Sequence, residues 1–126
     1  MSLPNFVNYE LVKLSEMIKA SLLKEVTYNE SKPKIDVLFQ TEQTKEIRIA
    51  LNTNQEMKEH KTPFPIVVEI VQGQIDFGVQ GEKHRMDAGD LISLEGNVPH
   101  DLFVLEPSVI RLSLSKLDSV ERIRNI

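Results

Sequence analysis

Ile66-Val67-Val68-Glu69-Ile70-Val71-Gln72-Gly73-Gln74-Ile75-Asp76-Phe77-Gly78-Val79-Gln80-Gly81-Glu82-Lys83-His84-Arg85-Met86, continued by Asp87-Ala88-Gly89-Asp90-Leu91-Ile92-Ser93-Leu94-Glu95-Gly96-Asn97-Val98-Pro99-His100, is the stretch whose reading decides the fold. Its apolar runs, five to eight residues long, are broken by Gly, Asn and Pro about every ten positions, the rhythm of short antiparallel strands in a barrel or sandwich. All five glycines of the chain lie between positions 73 and 96. Gly enters positive φ without steric cost, so the backbone doubles back repeatedly here. Ile75, Phe77 and Val79 alternate with Asp76, Gly78 and Gln80, giving one buried and one wet face. Ile66 to Val71 is apolar on both faces except at Glu69. Such a strand is covered on two sides, either by the opposing sheet and an N-terminal helix or by a second subunit.

Downstream, Ile110, Leu112 and Leu114 alternate with Arg111, Ser113 and Ser115 in a closing strand, and Val120, Ile123 and Ile126 at spacing three imply a short terminal helix or a frayed tail. Upstream, Lys34 to Gln40 reads as a strand, and Lys45 to Asn52 puts Ile47, Ile49 and Leu51 on one face with Glu46 and Arg48 on the other. Thr41-Glu42-Gln43-Thr44 connects these two, and Asn52-Thr53-Asn54-Gln55 is a polar break before Met57 to His60. Val7, Leu11, Leu14 and Ile18 recur at spacings of four, three and four, which predicts a short helix packed on the outside of a sheet. A Tyr9 to Val12 strand followed by a shorter helix is the alternative. No repeat, low-complexity tract or linker interrupts the chain. One domain over 1–126 follows: a barrel core over about 34–115, an N-terminal extension over 1–30 and a tail over 116–126.

A chain of 126 residues buries most of its apolar surface without staples, and with no cysteine it forms neither a disulfide nor a thiolate metal site. Fifteen Lys and Arg against nineteen Asp and Glu leave a net charge of -4, so direct nucleic-acid binding is not expected. No apolar run approaches a signal peptide or the roughly 18 residues of a membrane span. A soluble, cytoplasmic protein without membrane contact is the expectation.

The run from Gly73 to His100 resembles the barrel of the cupin superfamily, in particular the small single-domain cupins. Gly73, Gln80-Gly81, Ala88-Gly89-Asp90 and Val98-Pro99-His100 stand where cupins have the glycine ending motif one, a hairpin turn and the ends of motif two. The resemblance spans about residues 45–115 and implies an all-β double-stranded β-helix, a jelly-roll barrel, here with a short N-terminal helix. It also implies metal ligands: motif one supplies His-x-His and a later glutamate, motif two a third histidine. His100 matches the last of these. The glutamate position is Ile66, and only His60 stands near the paired histidines, its register shifted by Pro63-Phe64-Pro65. In motif two, Glu95, Asn97 and Val104 replace the proline, second glycine and asparagine. The motifs are degenerate.

A divalent iron, manganese, nickel or zinc ion needs three or four converging nitrogen or oxygen ligands. His60 and His100 would supply two, with a third from Glu59, Glu69, Glu95 or Asp101, although alternation turns Glu69 away from the side of Ile66, Val68 and Ile70. The other reading has His60 and His100 lining a metal-free pocket. Two functions follow. One is binding of a small organic ligand in the barrel near His60 and His100; the alternative is a metal-dependent enzyme of dioxygenase or isomerase type acting on a small polar substrate. The pocket reading requires that Phe39, Phe77 and Phe103 do not fill the space between the two histidines. A homodimer through sheet faces or edge strands is expected, and any regulatory role would run through a partner. No catalytic residue is assigned. His84 reads as a packed or edge histidine, Asp87 and Asp90 as turn caps around Gly89, and Lys45, Arg48, Lys58 and Lys61 as a solvated face.

Overall fold

Two long strands carry the architecture because each belongs to both layers of the molecule. The computed structural model describes residues 17–126, in which β4 (Ile66–Val79) and β7 (His100–Ser115) pair antiparallel from Ile66 opposite Leu114 to Val79 opposite His100. The ladder slips between Ile70 and Ile75, where Gly73 sits at φ 97°. A side chain at Gly73 would run into Ser108 and the carbonyl of Pro107, so the glycine is required both for its backbone angle and for this close approach. Both strands bend at this level, and the sheet folds over on itself.

The remaining strands extend the two halves. β1 (Lys34–Gln40) pairs with β2 (Thr44–Leu51), which pairs with the second half of β7; β6 (Leu91–Leu94) pairs with the first half of β4. In the other layer, β3 (Glu56–His60) pairs with the first half of β7, and β5 (Glu82–Asp87) with the second half of β4. The result is an all-β double-stranded β-helix. Between the layers lies one apolar core that joins Ile47 and Ile49 of β2, Ile70, Ile75 and Phe77 of β4, and Ile110 of β7. Each such side chain stabilises the fold by about 1.5–3 kcal/mol relative to exposure. The turn expected around Gly89 is observed: the Asp87 amide donates to the Asp90 carboxylate, and the Asp90 amide to the Asp87 carbonyl.

The helix expected over Val7 to Ile18 falls almost wholly outside the described residues, and Met17 to Glu30 within them contains no helix. The one described helix is α1 (Val120–Arg124), capped by the Ser119 side chain, which accepts from the Arg122 amide. α1 closes one end of the barrel, with Ile123 buried in the core and Val120 packed against it. No helix among the described residues is long and apolar enough to cross a membrane.

The outer face of β2 is not solvated. Arg48 is buried; its Nη1 donates to the carbonyls of Ser21 and Lys24, and its Nη2 to the Asp36 carboxylate. The segment before β1 is pinned over that face. Lys45 likewise donates to the Asp118 carbonyl, whereas Lys58 and Lys61 are exposed. Polar alternation on β2 marks a second contact layer of hydrogen bonds, which a reading by alternation alone assigns to water.

Candidate functional site

His60 and His100 are direct cross-strand partners in the β3–β7 ladder. Met57 and His60 are three positions apart, a spacing that in a regular strand points to opposite faces. An irregularity between them re-aims the chain, and both line the same interior cavity. The two imidazoles meet edge to face with ring centroids 4.2 Å apart, and Phe77 stacks on His100 at 5.6 Å. Phe77 therefore occupies part of the interior. Phe39 and Phe103 line grooves elsewhere.

Each imidazole is oriented by the backbone carbonyl two residues before it. Nδ1 of His60 lies 2.6 Å from the Lys58 carbonyl and Nδ1 of His100 lies 2.9 Å from the Val98 carbonyl. A carbonyl only accepts, so Nδ1 carries the proton in both rings and Nε2 is the free nitrogen. Burial pushes both imidazoles below their ordinary pKa; the Arg122 guanidinium adds to this, against the opposing pull of the backbone carbonyls and Asp101. They are neutral groups near pH 7.

The third polar group of the cavity is Arg122, a residue that the sequence reading does not single out. Its Nε and Nη2 donate to the two oxygens of Asp118 at 3.0 and 2.9 Å. Its Nη1 is buried and makes no hydrogen bond. Asp118 is itself buried and accepts from the Thr62 hydroxyl and the Ser119 amide as well. Burial alone would raise its carboxyl pKa, but the bonds from Arg122, Thr62 and Ser119 outweigh that and hold it below the usual range. Asp118 and Arg122 stand four apart beside a Ser cap, an ordinary helix-start pair in sequence. Only the path of the chain brings Arg122 to the barrel.

The cavity these residues share is about 30 Å³, with walls that include Ile49, Ile66, Val68, Leu112 and Ile123. Its surface is apolar except at the three polar side chains. Similar architecture recurs in solved structures. An RmlC-like cupin protein from Desulfovibrio desulfuricans superposes with a TM-score of 0.73 at 14% identity, covering 79% of this chain and 96% of that one. The chain has the cupin fold. The cupin barrel is shared by KdgF from Halomonas sp. (TM-score 0.67, 16% identity, 79% and 94% covered). A conserved SPY1581 protein of unknown function from Streptococcus pyogenes superposes at 0.68 with 22% identity, over 81% and 90% of the two chains. No protein-family model and no curated protein matches the sequence.

Within this cupin barrel the carboxylates considered as a third ligand lie elsewhere. Glu69 faces outward and accepts from Arg111 at 3.2 Å. Glu59 and Asp101 line a separate groove, and Glu95 is exposed. Among the described residues, no three of His, Cys, Asp and Glu converge as metal ligands. Two imidazoles are a poor donor set for a divalent cation, because they supply only two of the three or four ligands it needs and none of them is anionic. His84 is exposed on β5, 3.9 Å from the Glu82 carboxylate, and takes no part in the cavity.

Proposed function

We propose that this cupin barrel binds a small organic ligand, without a resident metal, at the His60–His100 end of its interior. The observation that carries this reading is the meeting of two neutral imidazoles and the Arg122 side chain, whose Nη1 is buried and unpaired, on one otherwise apolar cavity. A few fixed polar groups in an apolar hollow orient a ligand, while the walls supply the affinity. In the metal-enzyme alternative, His60 and His100 would hold a transition ion. The donor set described above does not favour it.

One sample tests both. Protein purified under native conditions is denatured, the released small molecules are identified by mass spectrometry, and metals are measured by elemental analysis. An organic molecule released from the wild type and lost from His100→Ala supports the proposal. About one transition-metal ion per chain, removed by His100→Ala, would overturn it in favour of the enzyme reading.

The reading places the protein in the cytoplasm as a soluble homodimer. Val67, half-buried, and Leu91, 61% exposed, lie on the outer face of the β4–β6 pair, where a second copy would cover them. A monomer in light scattering at micromolar concentration would remove the dimer from this account.

A further inference from the structure

The hydrogen-bonding sense of the cavity is fixed by partners outside it. With Nδ1–H of each ring committed to a carbonyl, His60 and His100 offer Nε2 as acceptors. Arg122 Nη1 offers a donor. The complement is therefore a group that accepts once and donates at least once.

Charge narrows the choice further. Arg122 is matched by Asp118 through a two-pronged pair, so most of its charge is already answered within the protein. An anion entering the cavity would lose its hydration without gaining a countercharge of its own, a far larger penalty than desolvating a neutral carbonyl.

We propose that the cavity selects small neutral molecules carrying a carbonyl oxygen next to an N–H or O–H donor, the pattern of a primary carboxamide or an α-hydroxy ketone. The carbonyl accepts from Arg122 Nη1 and the donor meets an imidazole Nε2. The proposal rests on the binding reading above and adds a ligand class to it. A cavity of about 30 Å³ has room for about one water. Water offers the same pattern, and a ligand replaces it without loss only by reproducing its hydrogen bonds. The remainder of the ligand then takes the place of the Ile123 side chain, the wall contributed by the short helix and not by the sheet.

The test uses the full-length protein at a pH where both imidazoles are neutral, following the ring signals of His60 and His100 and the methyl signal of Met57 by NMR. Four probes of similar size are titrated: acetamide, hydroxyacetone, acetone and acetate. Acetamide and hydroxyacetone shift these signals along saturable curves. Acetone, which lacks the donor, and acetate, which lacks the donor and carries charge, need about tenfold higher concentration. Ile123→Ala widens the cavity and tightens acetamide binding by about tenfold while keeping the order of the probes. Arg122→Lys keeps a cation for Asp118 but removes Nη1, and weakens acetamide by about tenfold.

Equal or tighter binding of acetate, or an Arg122→Lys variant that binds acetamide as the wild type does, would overturn the ligand class and leave the pocket standing. If no probe moves the His60, His100 or Met57 signals, even in Ile123→Ala, the binding reading fails and the class with it.

Discussion

Two arginines of the molecule each hold one buried, unpaired nitrogen, in opposite circumstances, and the contrast shows what makes a site. Arg48 lies on the outer wall, its guanidinium spent on Ser21, Lys24 and Asp36, with Nε buried and unpaired. Arg122 lies at the end of the barrel, spent on Asp118, with Nη1 buried and unpaired. A count of unsatisfied nitrogens treats them alike. They differ in what surrounds the free atom: protein packs around Arg48, whereas Arg122 borders a cavity that two imidazoles share. An unpaired donor becomes a recognition element only where a ligand can reach it.

The contrast breaks most visibly on stability. Arg48→Met removes three hydrogen bonds, two of which fasten the segment before β1, leaving two carbonyls and part of a carboxylate without their partner. The expected loss is about 3 kcal/mol in urea unfolding, with acetamide binding unchanged. A loss below about 1 kcal/mol would mean that this side chain does not fasten the segment. At the other end, Ile123→Ala removes a buried side chain from a five-residue helix. The helix can partly collapse into the space, so the loss is expected near the low end for such truncations, about 2 kcal/mol. A larger loss, with the slope of the unfolding curve altered, would show that α1 is integral to the barrel and not a cover on it.

A smaller effect is expected at Arg122 itself. Its pair with Asp118 is partly solvent-exposed on the arginine side. Arg122→Met therefore costs about 1 kcal/mol, and the loss appears as local opening of α1 in hydrogen exchange and not as global unfolding. Loss of protection throughout β4 and β7 in the same variant would contradict the assignment of Arg122 to a local clamp.

The same two regions show how far the sequence is legible. The barrel was readable because its signals are local: alternation in β2, β4 and β7, and Gly73 at the fold-over of β4. His100 was readable from Val98-Pro99-His100, and the outward turn of Glu69 from strand parity alone. Arg48 defeats a reading by alternation for a definite reason. Glu46 and Arg48 alternate with Ile47 and Ile49 as a wet face does, and the segment that covers them has no periodicity to announce it. Arg122 carries no sequence signal for a related reason: a pair spaced four apart at a helix start looks the same whether it faces water or a barrel. The irregularity that re-aims His60 also has no sequence signature, since it depends on which residues of β7 the strand meets.

The smallest expected effect concerns pH, and it separates the two regions without perturbing either. His60 and His100 are held below their ordinary pKa by burial first and by Arg122 in addition. In the unfolded chain they titrate near the ordinary value of about 6.5 and so bind protons more readily than the folded state does. Stability is therefore fully present above about pH 6.5 and falls as the pH drops toward the folded-state values, levelling below them. Asp118 and Asp36 act in a separate window: their carboxyls are held low, so their contribution is present above about pH 4 and lost in stronger acid. Urea midpoints measured in steps of pH should thus show two declines. Replacing both histidines, His60→Gln with His100→Gln, flattens the upper one and spares the lower. Arg48→Met leaves the upper decline in place, because no histidine bonds to that wall. A wild-type profile that stays flat from about pH 7 to 5 would mean that the two rings are solvated, and the buried acceptors on which the cavity's selectivity depends would not exist.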